Sequence, residues 1–98
     1  GFMEEVRRKG DILKKHLLEL QQKFDVITEV RGLGLMLGIE FSFEAKPLVE
    51  ELLKKGLVAN ATAGNVLRLV PPLIISEQEI NELMQILTDT LTEKINNS

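Results

Sequence analysis

A short apolar segment that ends in two consecutive prolines constrains this fold more than any other stretch. Residues 66–70 are apolar except for Arg68, and this pattern predicts a β-strand. Proline has no backbone N–H and a fixed φ, so the strand must end at the Pro71–Pro72 pair. Ser76 and Glu79 have the spacing of a capping box, which predicts that a helix begins directly after the prolines.

Arg68 is the one charged side chain in this apolar strand. A guanidinium stays charged at every physiological pH, and its planar fork of donors matches a carboxylate in two hydrogen bonds. In such a position it has either a structural anion within the protein or the carboxylate of a ligand. The residues alone leave both alternatives open.

Composition predicts a cytoplasmic protein with a single domain over residues 1–98, near the lower size limit for a self-sufficient core. The net charge is −3 and no basic stripe carries interleaved aromatics, so we expect no nucleic-acid partner. We also expect no membrane partner, because no apolar run has the length of a bilayer span and no signal peptide opens the chain. The absence of cysteine excludes disulfides and fits a reducing compartment. The start at Gly1, without an initiating methionine, indicates a piece of a longer protein.

Hydrophobic periodicity predicts three helices and about four strands in the order α-β-β-α-β-β-α. The predicted bounds are residues 3–24, 26–31, 35–41, 45–55, 57–60, 66–70 and a last helix that Ser76 caps and that ends near residue 95. This order predicts an α+β fold, a two-layer sandwich whose helices pack on a largely antiparallel sheet. The nearly continuous apolar character of residues 35–39 predicts a strand covered on both faces.

The residues supply no catalytic or metal site. Gly32, Gly34 and Gly38 resemble a dinucleotide-binding loop, but their spacing is wrong and a strand follows them where that motif needs a helix. With one histidine and no cysteine, neither a catalytic triad nor a His-rich or thiolate metal site can form, and we expect His16 at the surface.

Two segments resemble motifs of the class III pyridoxal-phosphate aminotransferases. Residues 30–40 (Val-Arg-Gly-Leu-Gly-Leu-Met-Leu-Gly-Ile-Glu) resemble one motif. Residues 55–58 (Lys-Gly-Leu-Val) with 64–73 (Gly-Asn-Val-Leu-Arg-Leu-Val-Pro-Pro-Leu) resemble a second. Within the family, the sequences of these two segments are most similar to those of the acetylornithine aminotransferases of arginine biosynthesis. The two motifs stand in the family's order and cover nearly the whole chain.

The resemblance implies the C-terminal small domain of a larger enzyme, which transfers an amino group to 2-oxoglutarate. The missing large domain of that parent would bind pyridoxal phosphate and carry its Schiff-base lysine, and the parent would be a homodimer. This chain alone would hold no cofactor, have no catalytic residue and be inactive. Arg68 alone matches a family position that reaches the active site, where it meets a substrate carboxylate or is held by an acidic residue. Arg31 would tether the glycine bend structurally.

Two other interpretations stay open at this stage. A free-standing α+β module that binds amino acids or regulates an enzyme would explain the size and architecture, although it would not explain both motifs. A folded scaffold without a function of its own is a third possibility, and a domain removed from its partner would leave an apolar patch exposed.

Overall fold

The chain forms three helices and four strands in the predicted order, which confirms the α+β fold. The computed structural model describes residues 1–33, 36–62, 64–69 and 75–96, with the backbone alone at residue 33. The elements are α1 (Phe2–Lys23), β1 (Ile27–Leu33), β2 (Met36–Phe41), α2 (Lys46–Lys54), β3 (Ala59–Thr62), β4 (Val66–Leu69) and α3 (Glu77–Asn96). The predicted strand end at Val70 and the Pro71–Pro72 pair lie outside the described residues.

The four strands form one sheet in the order β1-β2-β4-β3, and every pairing is antiparallel. β1 with β2 and β3 with β4 are neighbours along the chain, whereas the central β2–β4 pairing joins the two hairpins. In its register, Gly38 of β2 lies opposite Arg68 of β4. This pairing therefore brings the two motifs of the sequence to the middle of one sheet.

The helices cover one face of the sheet, and none of the described helical residues covers the other face, here called the open face. Along β2 the residues alternate, with Leu37 1% exposed and Met36 73% exposed. The expectation that residues 35–39 would be covered on both faces is therefore wrong for the described part of the strand. The segment looks continuously apolar because the open face carries Met36 and Gly38, which have no charged group. The covered face supplies Leu37, Ile39 and Phe41 to the core, together with buried leucines of all three helices.

Two strands have different bounds from those predicted. β3 begins at Ala59 and not at Leu57, because Gly56 has a φ of +91° and the N–H of Leu57 still donates to the carbonyl of Leu52, at 2.9 Å. The apolar residue Leu57 is thus still hydrogen-bonded to the end of α2 and is not part of β3. β1 continues past Arg31 through Gly32, which pairs with Leu37.

The capping box predicted before α3 is present. The N–H of Glu79 donates to Oγ of Ser76 at 3.0 Å, and the N–H of Ser76 donates to Oε1 of Glu79 at 3.0 Å. The backbone hydrogen bond from Ser76, followed by the side-chain one, lowers the pKa of Glu79 below its ordinary value of 4.5. The helix therefore begins where the sequence predicts.

This shifted pKa makes the stability of α3 depend on pH. Because the folded-state pKa of Glu79 is the lower one, its carboxylate stabilises the fold fully above the ordinary pKa, and this contribution is lost as the pH falls through the folded-state pKa. Glu79→Gln keeps an acceptor for Ser76 but has no charge to titrate. We expect the Tm of this variant, measured by circular dichroism, to fall less than that of wild type between about pH 7 and about pH 3. Glu82→Gln, an exposed glutamate on the same helix, is the control, and equal losses of Tm in wild type and Glu79→Gln would contradict the assignment.

Candidate functional site

Arg68 extends from the open face of the sheet. Its neighbours in β4, Leu67 and Leu69, are 0% and 2% exposed and lie in the core, so the alternation of the strand directs Arg68 to the opposite side. Two buried leucines therefore fix the point from which the guanidinium emerges.

Arg68 and Arg31 lie in one row across the sheet. Arg31 of β1 pairs with Gly38 of β2, and Gly38 pairs on its other side with Arg68 of β4. A surface depression of about 220 Å³, here called the arginine depression, lies over this row. Its lining residues are Arg31, Gly32, Met36, Leu37, Gly38, Val66 and Arg68.

The two arginines differ in their partners. Arg31 forms ion pairs from Nη1 to Oε2 of Glu29, at 3.4 Å, and from Nη2 to Oε2 of Glu40, at 3.6 Å. Glu40 is itself placed by Asn65, whose Nδ2 lies 3.5 Å from Oε1 of Glu40. Arg31 thus links β1 to β2, in agreement with the structural role expected of it.

The guanidinium of Arg68, in contrast, forms no hydrogen bond or ion pair with any residue in 1–33, 36–62, 64–69 or 75–96. Of the two alternatives for its counter-charge, a structural anion is therefore not present in the described part of this chain. Its charge is available to a group that approaches the open face.

Several lysines of this chain have partners or lie beside glutamates. Lys14 donates to the carbonyl of Gly32 at 3.1 Å, and Lys55 pairs with Glu93 at 3.0 Å. Lys94 and Lys23 line two other surface depressions, but glutamates line both of these and would repel a phosphate. None of the residues that line the arginine depression is a lysine. The arginine depression therefore offers no lysine for a covalent bond to pyridoxal phosphate.

Other chemistry is limited in the described part of the chain. There, no group of three or more His, Cys, Asp and Glu side chains could hold a metal ion. His16 lies at the surface, as expected, with Nδ1 3.4 Å from Oε1 of Glu19. Among the helices whose residues are described, none is long and apolar enough to cross a lipid bilayer.

Sequence reasoning selected Arg68 but missed its proximity to Arg31 and the bare floor at Gly38. The alternation of side chains along each strand could have shown that both arginines lie on the open face, since their apolar neighbours Val30 and Leu67 are buried. The strand order was not available, because it depends on the long-range β2–β4 pairing.

Comparison with known proteins identifies the family. The profile of the class-III aminotransferases matches residues 1–91. The acetylornithine aminotransferase of Caldanaerobacter subterraneus subsp. tengcongensis is 49% identical over 94 residues, which are 95% of this chain and 24% of that protein. The acetylornithine aminotransferase of Methanocaldococcus jannaschii is 40% identical over 90 residues, covering 92% of this chain and 23% of that protein.

The fold agrees with this comparison. The crystal structure of acetylornithine aminotransferase from Elizabethkingia anophelis superimposes with a TM-score of 0.86 at 32% identity, over 94% of this chain and 25% of that one. The chain thus spans about a quarter of the length of the relatives it matches. Since the family profile covers all three helices up to residue 91 and the whole sheet, the chain belongs to the class-III aminotransferase family.

Proposed function

We propose that this chain is the C-terminal small domain of an aminotransferase most like the acetylornithine aminotransferases. The intact enzyme would transfer an amino group to 2-oxoglutarate in arginine biosynthesis, in the cytoplasm and as a homodimer. The observation that carries the proposal is Arg68, a guanidinium without a partner in the described residues, on an open sheet face and in a motif similar to the family's. The relatives that support it are named acetylornithine aminotransferases.

Arg68 would recognise the carboxylate of a substrate. A guanidinium presents two parallel N–H donors to a carboxylate, which fixes the orientation of the ligand as well as its position. The anchoring of Leu67 and Leu69 in the core limits the movement of the strand that carries Arg68. The role of this chain would therefore be to orient the substrate and to place its carboxylate.

The bond-breaking chemistry would come from the rest of the enzyme. Class-III aminotransferases generally use pyridoxal phosphate, which accepts the electrons released at the carbon that carries the transferred amino group. The missing large domain would hold this cofactor and carry its Schiff-base lysine. The open face of the sheet, with Met36 73% exposed, would lie toward that domain and the shared active site.

The proposal is tested by expressing the longer reading frame that contains these 98 residues. We expect the full-length protein to form glutamate from acetylornithine and 2-oxoglutarate. We expect the 98-residue chain alone to form none, and to produce no shift in the absorbance of added pyridoxal phosphate. A start codon at or near residue 1, together with amino-acid binding but no amino transfer, would instead support a free-standing binding module and contradict the proposal.

A further inference from the structure

Gly38 forms the floor of the arginine depression, and its backbone conformation is one that any residue could adopt. Gly38 lies mid-strand and its φ is outside the left-handed region, unlike Gly32, whose φ is +129°. A Cβ built on Gly38 would meet Cγ1 of Val66 at 3.5 Å and the carbonyl oxygen of Leu67 at 4.0 Å, which are ordinary contacts. Alanine would fit, and glycine weakens a strand interior. The fold therefore gives no reason for a bare position here.

The two arginines that line the depression give a reason for a glycine at position 38. Arg31 and Arg68 stand one strand away from Gly38 on either side, with each Cα about 5 Å from that of Gly38. Both side chains rise from the same face of the sheet and line the space over Gly38. The ion pairs of Arg31 draw its guanidinium toward Glu29 and Glu40, two residues along the strands from this row. A volume of about 220 Å³ has room for a carboxylate and several attached carbons, since one water occupies about 30 Å³.

The charges also favour an anion at this position. The ion pairs of Arg31 with Glu29 and Glu40, at 3.4 and 3.6 Å, are longer than the 2.7–2.9 Å or so of a strong charge-assisted hydrogen bond. These glutamates therefore orient Arg31 without saturating its five donors. Glu29 and Glu40 carry as many charges as the two arginines, but both of them pair with Arg31 and neither lines the depression. The charge of Arg68 therefore has no carboxylate partner among the described residues.

We infer that Gly38 forms the floor of a carboxylate-binding site: its bare backbone seats a ligand carboxylate between Arg68 and Arg31, and Arg31 supplies the second guanidinium of that site. The inference rests on the proposed function for the identity of the ligand, a carboxylate of an amino-acid or oxo-acid substrate. A methyl group at residue 38 would occupy the floor and lift the carboxylate away from both guanidinium groups at once.

The test is the dissociation constant of glutarate, an unreactive dicarboxylate, measured by calorimetry on the full-length protein. Gly38→Ala is expected to weaken glutarate binding about ten-fold with little change in Tm, and Arg31→Lys to weaken it about five-fold. Thr62→Ala is the control. Thr62 lies on the open face opposite Val66 but does not line the arginine depression. The Thr62→Ala variant should therefore bind glutarate with the dissociation constant of wild type.

Each outcome separates this inference from the proposed function. If Gly38→Ala binds glutarate as wild type does while Arg68→Lys binds it weakly, the carboxylate does not lie over Gly38 between the two arginines. The role of Arg68 in binding a substrate carboxylate would then still stand. Absence of glutarate binding by the wild-type protein would also overturn the inference. The proposed function is judged separately by amino transfer, which this binding measurement does not require.

Discussion

Under the proposed function, Arg68→Lys in the full-length protein is expected to lower kcat/KM for amino transfer between acetylornithine and 2-oxoglutarate about a hundred-fold. Lysine keeps the positive charge but replaces the planar fork with one ammonium group on a flexible chain. It would therefore attract the substrate carboxylate without fixing its orientation. Steady-state kinetics of the purified variant measure the effect.

The fold should tolerate this substitution, which makes the kinetic result interpretable. Arg68 is exposed and has no partner among the described residues, so the free energy of unfolding should change by no more than about 0.5 kcal/mol. Arg8→Lys is the matched control, because Arg8 is also exposed, pairs with Glu5 and Glu77, and does not line the arginine depression. A kcat/KM for Arg68→Lys equal to that of the Arg8→Lys control would remove Arg68 from the substrate site.

Local signals predicted most of the fold. Ser76 and Glu79 satisfy each other within one helical turn, and this spacing is visible in the sequence wherever the rest of the chain lies. The face of Arg68 follows in the same way from its leucine neighbours, since side chains alternate along a strand. Such features depend on residues a few positions apart, so reasoning from the sequence found them.

The arginine depression depends on contacts that no local pattern specifies. Arg31 and Arg68 are far apart in the sequence and share the depression only because β2 pairs with both β1 and β4. A different order of the same four strands would separate them without changing any hydrophobic pattern. The start of β3 was misplaced for a related reason, because the turn at Gly56 keeps the apolar residue Leu57 in contact with the end of α2.

Gly32→Ala is expected to destabilise the protein by about 3 kcal/mol or more. Gly32 has a φ of +129°, and a Cβ built on it would lie 2.1 Å from the carbonyl oxygen of Met36 and 3.0 Å from Cα of Leu37. Both atoms belong to the backbone of β2, so relief of the overlap requires the β1–β2 pairing to shift. The carbonyl of Gly32 also accepts a hydrogen bond from Lys14, which ties this strand end to α1. A loss of this size is a large part of the roughly 5–15 kcal/mol by which a domain is stable.

Urea denaturation of Gly32→Ala and Gly38→Ala, compared with wild type, tests this difference between two glycines of neighbouring strands. Gly38→Ala meets no atom closer than 3.5 Å and should change the free energy of unfolding by about 1 kcal/mol at most, in the stabilising direction. Equal destabilisation by both substitutions would mean that Gly38 is also held by the fold, and would remove the reason to assign its bare backbone to a ligand. A large loss at Gly32 alone would separate a glycine that the hairpin requires from one that keeps the arginine depression open.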